Sequence, residues 1–311
     1  MNSRLPSIPR RKFLSGAGVA AVGALGSGAA EANRPAPTRT RGYAAWRHGL
    51  VHFYDTGQGG LPLVLLHQAP MSARQFESVY APLSQRGIRA IGIDMPGFGV
   101  SDPTPFVPTI ADWVPAVTAV LDYLRLRKAA VLGHHTGSLL ATELGLQVPS
   151  RVVCVIINGP FPIDEQERKA GLARVDIRER QFEYKNDGSH LAESFLGRFK
   201  TYGVDADPRL ITRYTVEKFQ GFGPFWYGHH AAYQYDHAEA LKRLALPTLM
   251  LTNTGDQLYQ MALRAKALRP DFDFKELIGG GVDIVDQQPE AWSDAVNAFV
   301  RLHARSVRVA R

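Results

Sequence analysis

The chain has a single cysteine, Cys154, in 311 residues, so no internal disulfide can form. Without a Cys-x-x-Cys pair, thiolate metal clusters and dithiol redox chemistry are excluded. Neither a Gly-rich phosphate cradle nor a dinucleotide fingerprint is present, so no bound nucleotide or other cofactor is expected. Internal repeats are absent, and no low-complexity segment lies beyond the first 32 residues. Cys154 sits in an apolar run and reads as a core thiol. The net charge of +7 is partly that of the leader, where Arg4, Arg10, Arg11 and Lys12 face only Glu31. The remaining positive charge is spread too widely for a nucleic-acid footprint. The basic stretch from Arg301 to Arg311 reads as a solvated helix end and tail.

Residues 1–32 read as a twin-arginine signal peptide. Arg10-Arg11-Lys12-Phe13-Leu14 precedes a weakly apolar Gly/Ala-rich stretch, Ser15 to Ala30, and Ala30-Glu31-Ala32 is a small-x-small cleavage point. That stretch is too short and too rich in glycine to span a bilayer. The expected partner of this segment is the twin-arginine export machinery, and the expected location is periplasmic or secreted. Residues 33–42 read as a Pro/Arg/Thr linker and 305–311 as a basic tail.

Beyond the linker, apolar runs alternate with helical patterns. Strands are expected at Tyr43–Arg47, Leu50–Asp55, Pro62–His67, Arg89–Asp94, Ala129–Gly133, Val152–Asn158, Thr248–Thr252 and Asp273–Ile278. Helices are expected at Ser72–Gln85, Ile110–Leu124, Ser138–Val148, Met261–Leu268 and Pro289–Ala304. Leu63-Val64-Leu65-Leu66 and the run Val152 to Ile157 are apolar throughout, as suits parallel strands buried on both faces. The expected fold is α/β: a mostly parallel, eight-stranded sheet with helices on both faces. Residues 160–245 break the rhythm with charge and aromatics and read as a helical cap. The core then comprises 43–159 and 246–304.

The segment Leu132-Gly133-His134-His135-Thr136-Gly137 reads as a strand, a tight turn and a helix start. This is the context of a Gly-x-nucleophile-x-Gly elbow, whose flanking positions admit only small residues. Its apex is a histidine, His135. Ser138 cannot take the apex in another register, because Thr136 and Leu140 would stand where glycines are needed.

His67-Gln68-Ala69-Pro70 follows the third strand, and Asp94-Met95-Pro96-Gly97-Phe98-Gly99-Val100-Ser101-Asp102 follows the fourth. With the elbow, these segments resemble the α/β-hydrolase superfamily, in its capped branch of epoxide hydrolases and haloalkane dehalogenases. The resemblance covers roughly Tyr43 to Ala304. It implies an acid at Asp256, within Asn253-Thr254-Gly255-Asp256, and oxyanion-binding N–H groups at Ala69 and Thr136. It also implies a catalytic histidine ahead of Gln288-Pro289-Glu290, where Val282 stands instead. The triad is therefore non-standard: a histidine at the nucleophile position and a valine at the histidine position. A serine-ester mechanism needs both missing groups.

A His135–Asp256 dyad could fix one imidazole tautomer and activate water or abstract a proton. Hydrolysis of an ester or lactone in a small or medium apolar carbonyl compound is the first expectation. Proton abstraction leading to lyase or cofactor-free oxygenase chemistry is the second, and a non-catalytic ligand-binding protein the third. A zinc site of His67, His135 and Asp256 is a further alternative, without the close His-x-x-x-His pair that would support it. His134 reads as packed beside the elbow and His67 as a loop organiser. Gln68 could point its amide into the pocket. Trp226, His229 and His230 could line it, and one of these histidines could replace the missing base. Asp283 and Asp286 read as solvated loop carboxylates.

Overall fold

A computed structural model describes residues 39–57, 59–202 and 206–304. The leader, most of the linker and the basic tail lie outside these residues. Eight strands form one sheet: β1 (Thr40–Trp46), β2 (Gly49–Asp55), β3 (Leu61–Leu66), β4 (Ile88–Ile93), β5 (Ala129–His134), β6 (Val152–Asn158), β7 (Thr248–Asn253) and β8 (Asp273–Leu277). Their order is β1-β2-β4-β3-β5-β6-β7-β8. β2 runs antiparallel to both neighbours, and every pairing from β4 to β8 is parallel. The strand order reverses around β3, so the crevice beyond the ends of β3 and β5 is where such a sheet holds its ligand.

Two details depart from the sequence reading. β1 begins at Thr40, inside the span assigned to the linker, because β2 extends far enough to pair Thr40 with Asp55. The helix expected over 72–85 is broken into a 3-10 turn at Ala73–Phe76 and α1 (Tyr80–Gln85). One continuous helix would place Pro82 in its interior, whereas the break leaves Pro82 in the first turn of α1, where its missing N–H costs nothing.

Alternation along each central strand divides the core between two faces. Val64, Leu66, Val131, Val155 and Ile157 pack on one side with α2 (Val114–Tyr123) and α3 (Thr136–Gln147). Leu63, Leu65, Leu132, Cys154 and Ile156 pack on the other with α1 and α11 (Pro289–Ala304). Burial pushes the Cys154 thiol up to about 12, so it is an inert core group.

Between β6 and β7 the chain inserts α4 (Glu165–Val175), α5 (Ser189–Tyr202), α6 (Pro208–Gln220), α7 (Tyr227–Gln234) and α8 (His237–Arg243). After β7 come α9 (Tyr259–Leu268) and, after β8, the single turn α10 (Ile284–Gln287). Polar contacts pin the insertion to the core. Glu167 pairs with Arg264 at 2.8 Å, and the Tyr235 hydroxyl donates to Glu143 at 2.7 Å. His237 is fully buried; it accepts from the Phe161 N–H through Nδ1, and Nε2 meets the Thr142 hydroxyl at 3.0 Å.

Burial holds His237 neutral, with its pKa down at about 3. An unfolded histidine takes up its proton near ~6.5. Between these values the unfolded chain binds the extra proton, so stability must fall as pH drops through that window. Urea titrations across it are expected to show this loss, and His237→Gln is expected to lack that component. Equal pH slopes in both proteins would contradict the assignment.

Candidate active site

The elbow glycines are dictated by contact. A Cβ on Gly133 would lie 1.9 Å from the Gly137 carbonyl oxygen, and a Cβ on Gly137 would lie 2.1 Å from that of Leu66. α3 therefore starts hard against the end of β3. At the apex His135 has φ 48° and ψ −113°, a costly conformation for a residue with a side chain. Its N–H donates to the Asn158 carbonyl at 2.7 Å, and its own carbonyl accepts from Ser138 at 2.8 Å. Asn158 is fixed in turn by the Trp292 indole N–H at 2.8 Å. Gly159 leaves room for the ring, since a Cβ there would meet His135 Cδ2 at 2.5 Å.

The apex imidazole reaches the acid directly. His135 Nε2 lies 2.8 Å from Asp256 Oδ2, and the Leu258 N–H donates to Oδ1 at 2.8 Å. The Asp256 side chain has no exposure and that of His135 only 8%. Burial alone would raise the Asp256 carboxyl. The charge and hydrogen bond of His135, with the Leu258 N–H, outweigh this and hold it below the ordinary carboxylate range. An ionised Asp256 can only accept, so Nε2 carries the ring proton. In the neutral ring Nδ1 then presents a lone pair. It has no partner among the described residues and is not among the fully enclosed unpartnered atoms.

A second imidazole backs the first. His134 stacks on His135 with centroids 4.5 Å apart and planes 28° from parallel. Gln68 donates its backbone N–H to Gln75 Oε1 at 2.8 Å, which turns the Gln75 amide nitrogen toward His134 Nδ1. The proton of His134 must then sit on Nε2, which is buried without a partner. Burial, followed by the neighbouring His135, holds His134 well below the usual histidine range and therefore neutral.

His67 is excluded from the metal set considered above. Its Nδ1 lies 2.8 Å from the Gln68 carbonyl, and its Nε2 accepts from the Met95 N–H at 2.9 Å. Both nitrogens are committed to the backbone, which suits a loop organiser. Burial lowers its pKa, with partial offset from Asp94. The group with ligand atoms close together is instead His134, His135 and Asp256, within 4.8 Å of one another. The tautomer imposed by Gln75 leaves a proton, not a lone pair, on His134 Nε2. A cation there would require Gln68 and Gln75 to rearrange together.

Ala69 and Thr136 donate no hydrogen bond through their N–H groups among the described residues. Thr136 opens α3, where the first N–H groups lack intrahelical acceptors. Ala69 lies directly under the insertion, because a Cβ on Gly228 of α7 would come 2.1 Å from the Ala69 methyl. Trp226, His229 and His230 flank that glycine but are not brought to His135. The ring of His229 pairs with Glu179 at 2.8 Å, and Trp226 packs on Tyr227, His230 and Arg180. All these partners lie in the insertion, and neither histidine contacts His135 among the described residues.

Gln68 does not point its amide into open space. It donates to Asp283 Oδ1 at 2.6 Å, while Asp283 Oδ2 pairs with Arg198 of α5. Asp286 accepts from Ser78 at 2.6 Å, Tyr214 at 2.6 Å and Arg213 at 2.8 Å. The reading of Asp283 and Asp286 as solvated is therefore corrected: their side chains are 0% and 5% exposed. Val282, where the resemblance implied a histidine, is a buried apolar residue. A buried chain of contacts thus runs from Arg198 through Asp283, Gln68, Gln75 and His134 to His135. Sequence reasoning missed Gln75 and Arg198 entirely.

Residues 62–281 match the family model described as the alpha/beta hydrolase fold. The chain belongs to the α/β-hydrolase superfamily. It is 24% identical over 236 residues to a bifunctional esterase/perhydrolase of Acinetobacter calcoaceticus, covering 72% of this chain and 86% of that one. Several other curated relatives are matched over only 35% to 39% of their own length. A thermophilic esterase from Thermogutta terrifontis superposes with a TM-score of 0.69 at 20% identity, covering 86% of this α/β-hydrolase chain and 100% of the other. The enol-lactonase of Burkholderia xenovorans does so with a TM-score of 0.70 at 17% identity, covering 84% and 100%. At these identities the structural likeness speaks for the fold.

Proposed function

We propose that this α/β-hydrolase cleaves an ester or lactone bond in a small or medium apolar carbonyl compound, using His135 as base. The observation that carries the proposal is the Nε2–Asp256 contact of 2.8 Å, which leaves Nδ1 as the available lone pair. In the proposed reaction Nδ1 takes a proton from water while the water oxygen bonds to the carbonyl carbon. The N–H groups of Ala69 and Thr136 hold the resulting oxyanion. The C–O bond to the leaving group then breaks, and the imidazolium returns its proton to the departing alkoxide. No covalent enzyme ester forms, so the buried Val282 needs no replacement. One imidazole carries the proton both ways.

The esterase activity named for a similar curated protein supports the reaction class. The insertion serves as the cap, with α7 over Ala69 and Phe98 beside it forming an apolar wall. The test is incubation of the chain with an ester and lactone library, followed by mass spectrometry. Products whose summed mass is that of the substrate plus one water support hydrolysis. Products that sum to the substrate mass alone, or to the substrate plus oxygen, would instead assign the same base to proton abstraction.

For residues 1–32, outside the described structure, we propose export by the twin-arginine route to the periplasm or beyond. Fractionation is expected to place the wild type outside the cytoplasm and to retain a variant with Arg10→Lys and Arg11→Lys inside it. Equal distribution of the two would contradict this.

A further inference from the structure

A cleft of about 750 Å³ lies between the β1–β2 edge and α6. Arg41, Tyr43, His52, Tyr54, Arg74 and Glu217 are among the residues that line it. None takes part in the contacts around His135.

Glu217 is the unusual member. It projects from α6 with its side chain only 3% exposed. Oε2 accepts from both the N–H and the hydroxyl of Ser72, at 3.2 and 3.0 Å. Oε1 is buried and makes no hydrogen bond; the Arg74 Nε lies 3.7 Å away. A buried carboxyl oxygen without a partner is costly and marks a place where another group belongs. Because Oε2 already receives two donors, a proton on this carboxyl resides on Oε1, in a residue that lines the cleft.

The surroundings favour an anion as that group. Arg41 is exposed and makes no ion pair within the described residues. Arg74 faces Glu217 from the turn after Ser72. The only other carboxylate in the lining, Asp94, is already held by His52 Nδ1 at 2.9 Å and by the Ala73 N–H at 2.8 Å. Burial pushes the Glu217 carboxyl up, against partial offset from Ser72, Arg74 and Arg213.

We propose that this cleft binds a small monocarboxylate, whose carboxylate shares a proton with Glu217 Oε1 and pairs with Arg74 and Arg41. The rings of Tyr43 and Tyr54 suit an apolar body on the ligand. A carboxylate ligand stays ionised above about pH 5, so the titrating group in the complex is Glu217. Binding must therefore weaken as pH rises and Glu217 loses its proton. This site does not depend on the chemistry proposed for His135.

The test is calorimetric titration with benzoate at about pH 5.5 and about pH 8. Wild type is expected to bind at the lower pH and to lose affinity about tenfold per pH unit once Glu217 titrates. In Glu217→Gln the amide oxygen keeps the Ser72 bonds and the amide nitrogen becomes a permanent donor, so binding persists without pH dependence. Arg41→Ala and Arg74→Ala are each expected to weaken binding about tenfold to a hundredfold. His135→Ala is expected to bind benzoate as the wild type does. Absence of binding at the lower pH, unchanged affinity in both arginine variants, a pH dependence retained by Glu217→Gln, or loss of binding in His135→Ala would each overturn the proposal.

Discussion

His135→Ala is expected to reduce ester or lactone turnover by about 10²–10⁴-fold or more, the contribution of a well-placed general base. The sheet and its helices should survive the change. The elbow is held by backbone bonds of residue 135 to Asn158 and Ser138, which alanine keeps. The cost to stability is that of leaving the buried Asp256 carboxylate without its partner, about 3 kcal/mol or more for a charged group. Thermal unfolding should therefore show a folded, somewhat weakened protein. Asp256→Asn should give a comparable loss by another route. An asparagine amide can donate to Nε2, which moves the ring proton to Nδ1 and removes the base from the site. Turnover at the wild-type rate in His135→Ala would end the proposal.

The largest effect on stability is expected from Asp283→Ala. It removes the carboxylate that joins Arg198 of the insertion to Gln68 at the end of β3. Breaking one side of a buried ion pair costs about 3–5 kcal/mol, because the surviving charge stays desolvated. Arg198 would keep its charge, with its side chain only 19% exposed. The Gln68 amide would also lose its acceptor, next to the Ala69 N–H proposed to hold the oxyanion. Denaturant titration should show the loss, and kcat should fall beyond what unfolding explains. Replacing both partners by apolar residues, Asp283→Leu with Arg198→Met, should recover most of the stability but not the activity. A single variant weakened by less than about 1 kcal/mol would contradict the description of this pair as a buried clamp.

The parts legible in the sequence were those fixed by local sterics and periodicity. Apolar runs gave the parallel strands, and the spacing of Gly133 and Gly137 gave the elbow. Asp256 was visible because a carboxylate soon after β7 falls at the mouth of the sheet in this fold. The clamp was not visible. Asp283 and Asp286 sit in a Gly-rich loop and look solvated, and their arginine partners lie 85 and 73 residues away. Gln75 carried no signal of its own, since its role follows from the fold bringing it against His134. One pairing did offer a clue: Asp283 adjoins Val282, where the resemblance implied a histidine, and it meets Gln68 at 2.6 Å. The choice between ring nitrogens was likewise beyond the sequence, because it depends on the direction from which Asp256 approaches.

That choice is the centre of the account and can be measured directly. A long-range proton–nitrogen NMR spectrum of ¹⁵N-histidine-labelled protein at neutral pH, assigned with His135→Ala, reports which ring nitrogen of His135 carries the proton. The account predicts a protonated Nε2 held by Asp256 and a bare Nδ1 facing the site. A protonated Nδ1 with a bare Nε2 would leave no base to activate water, and would contradict it.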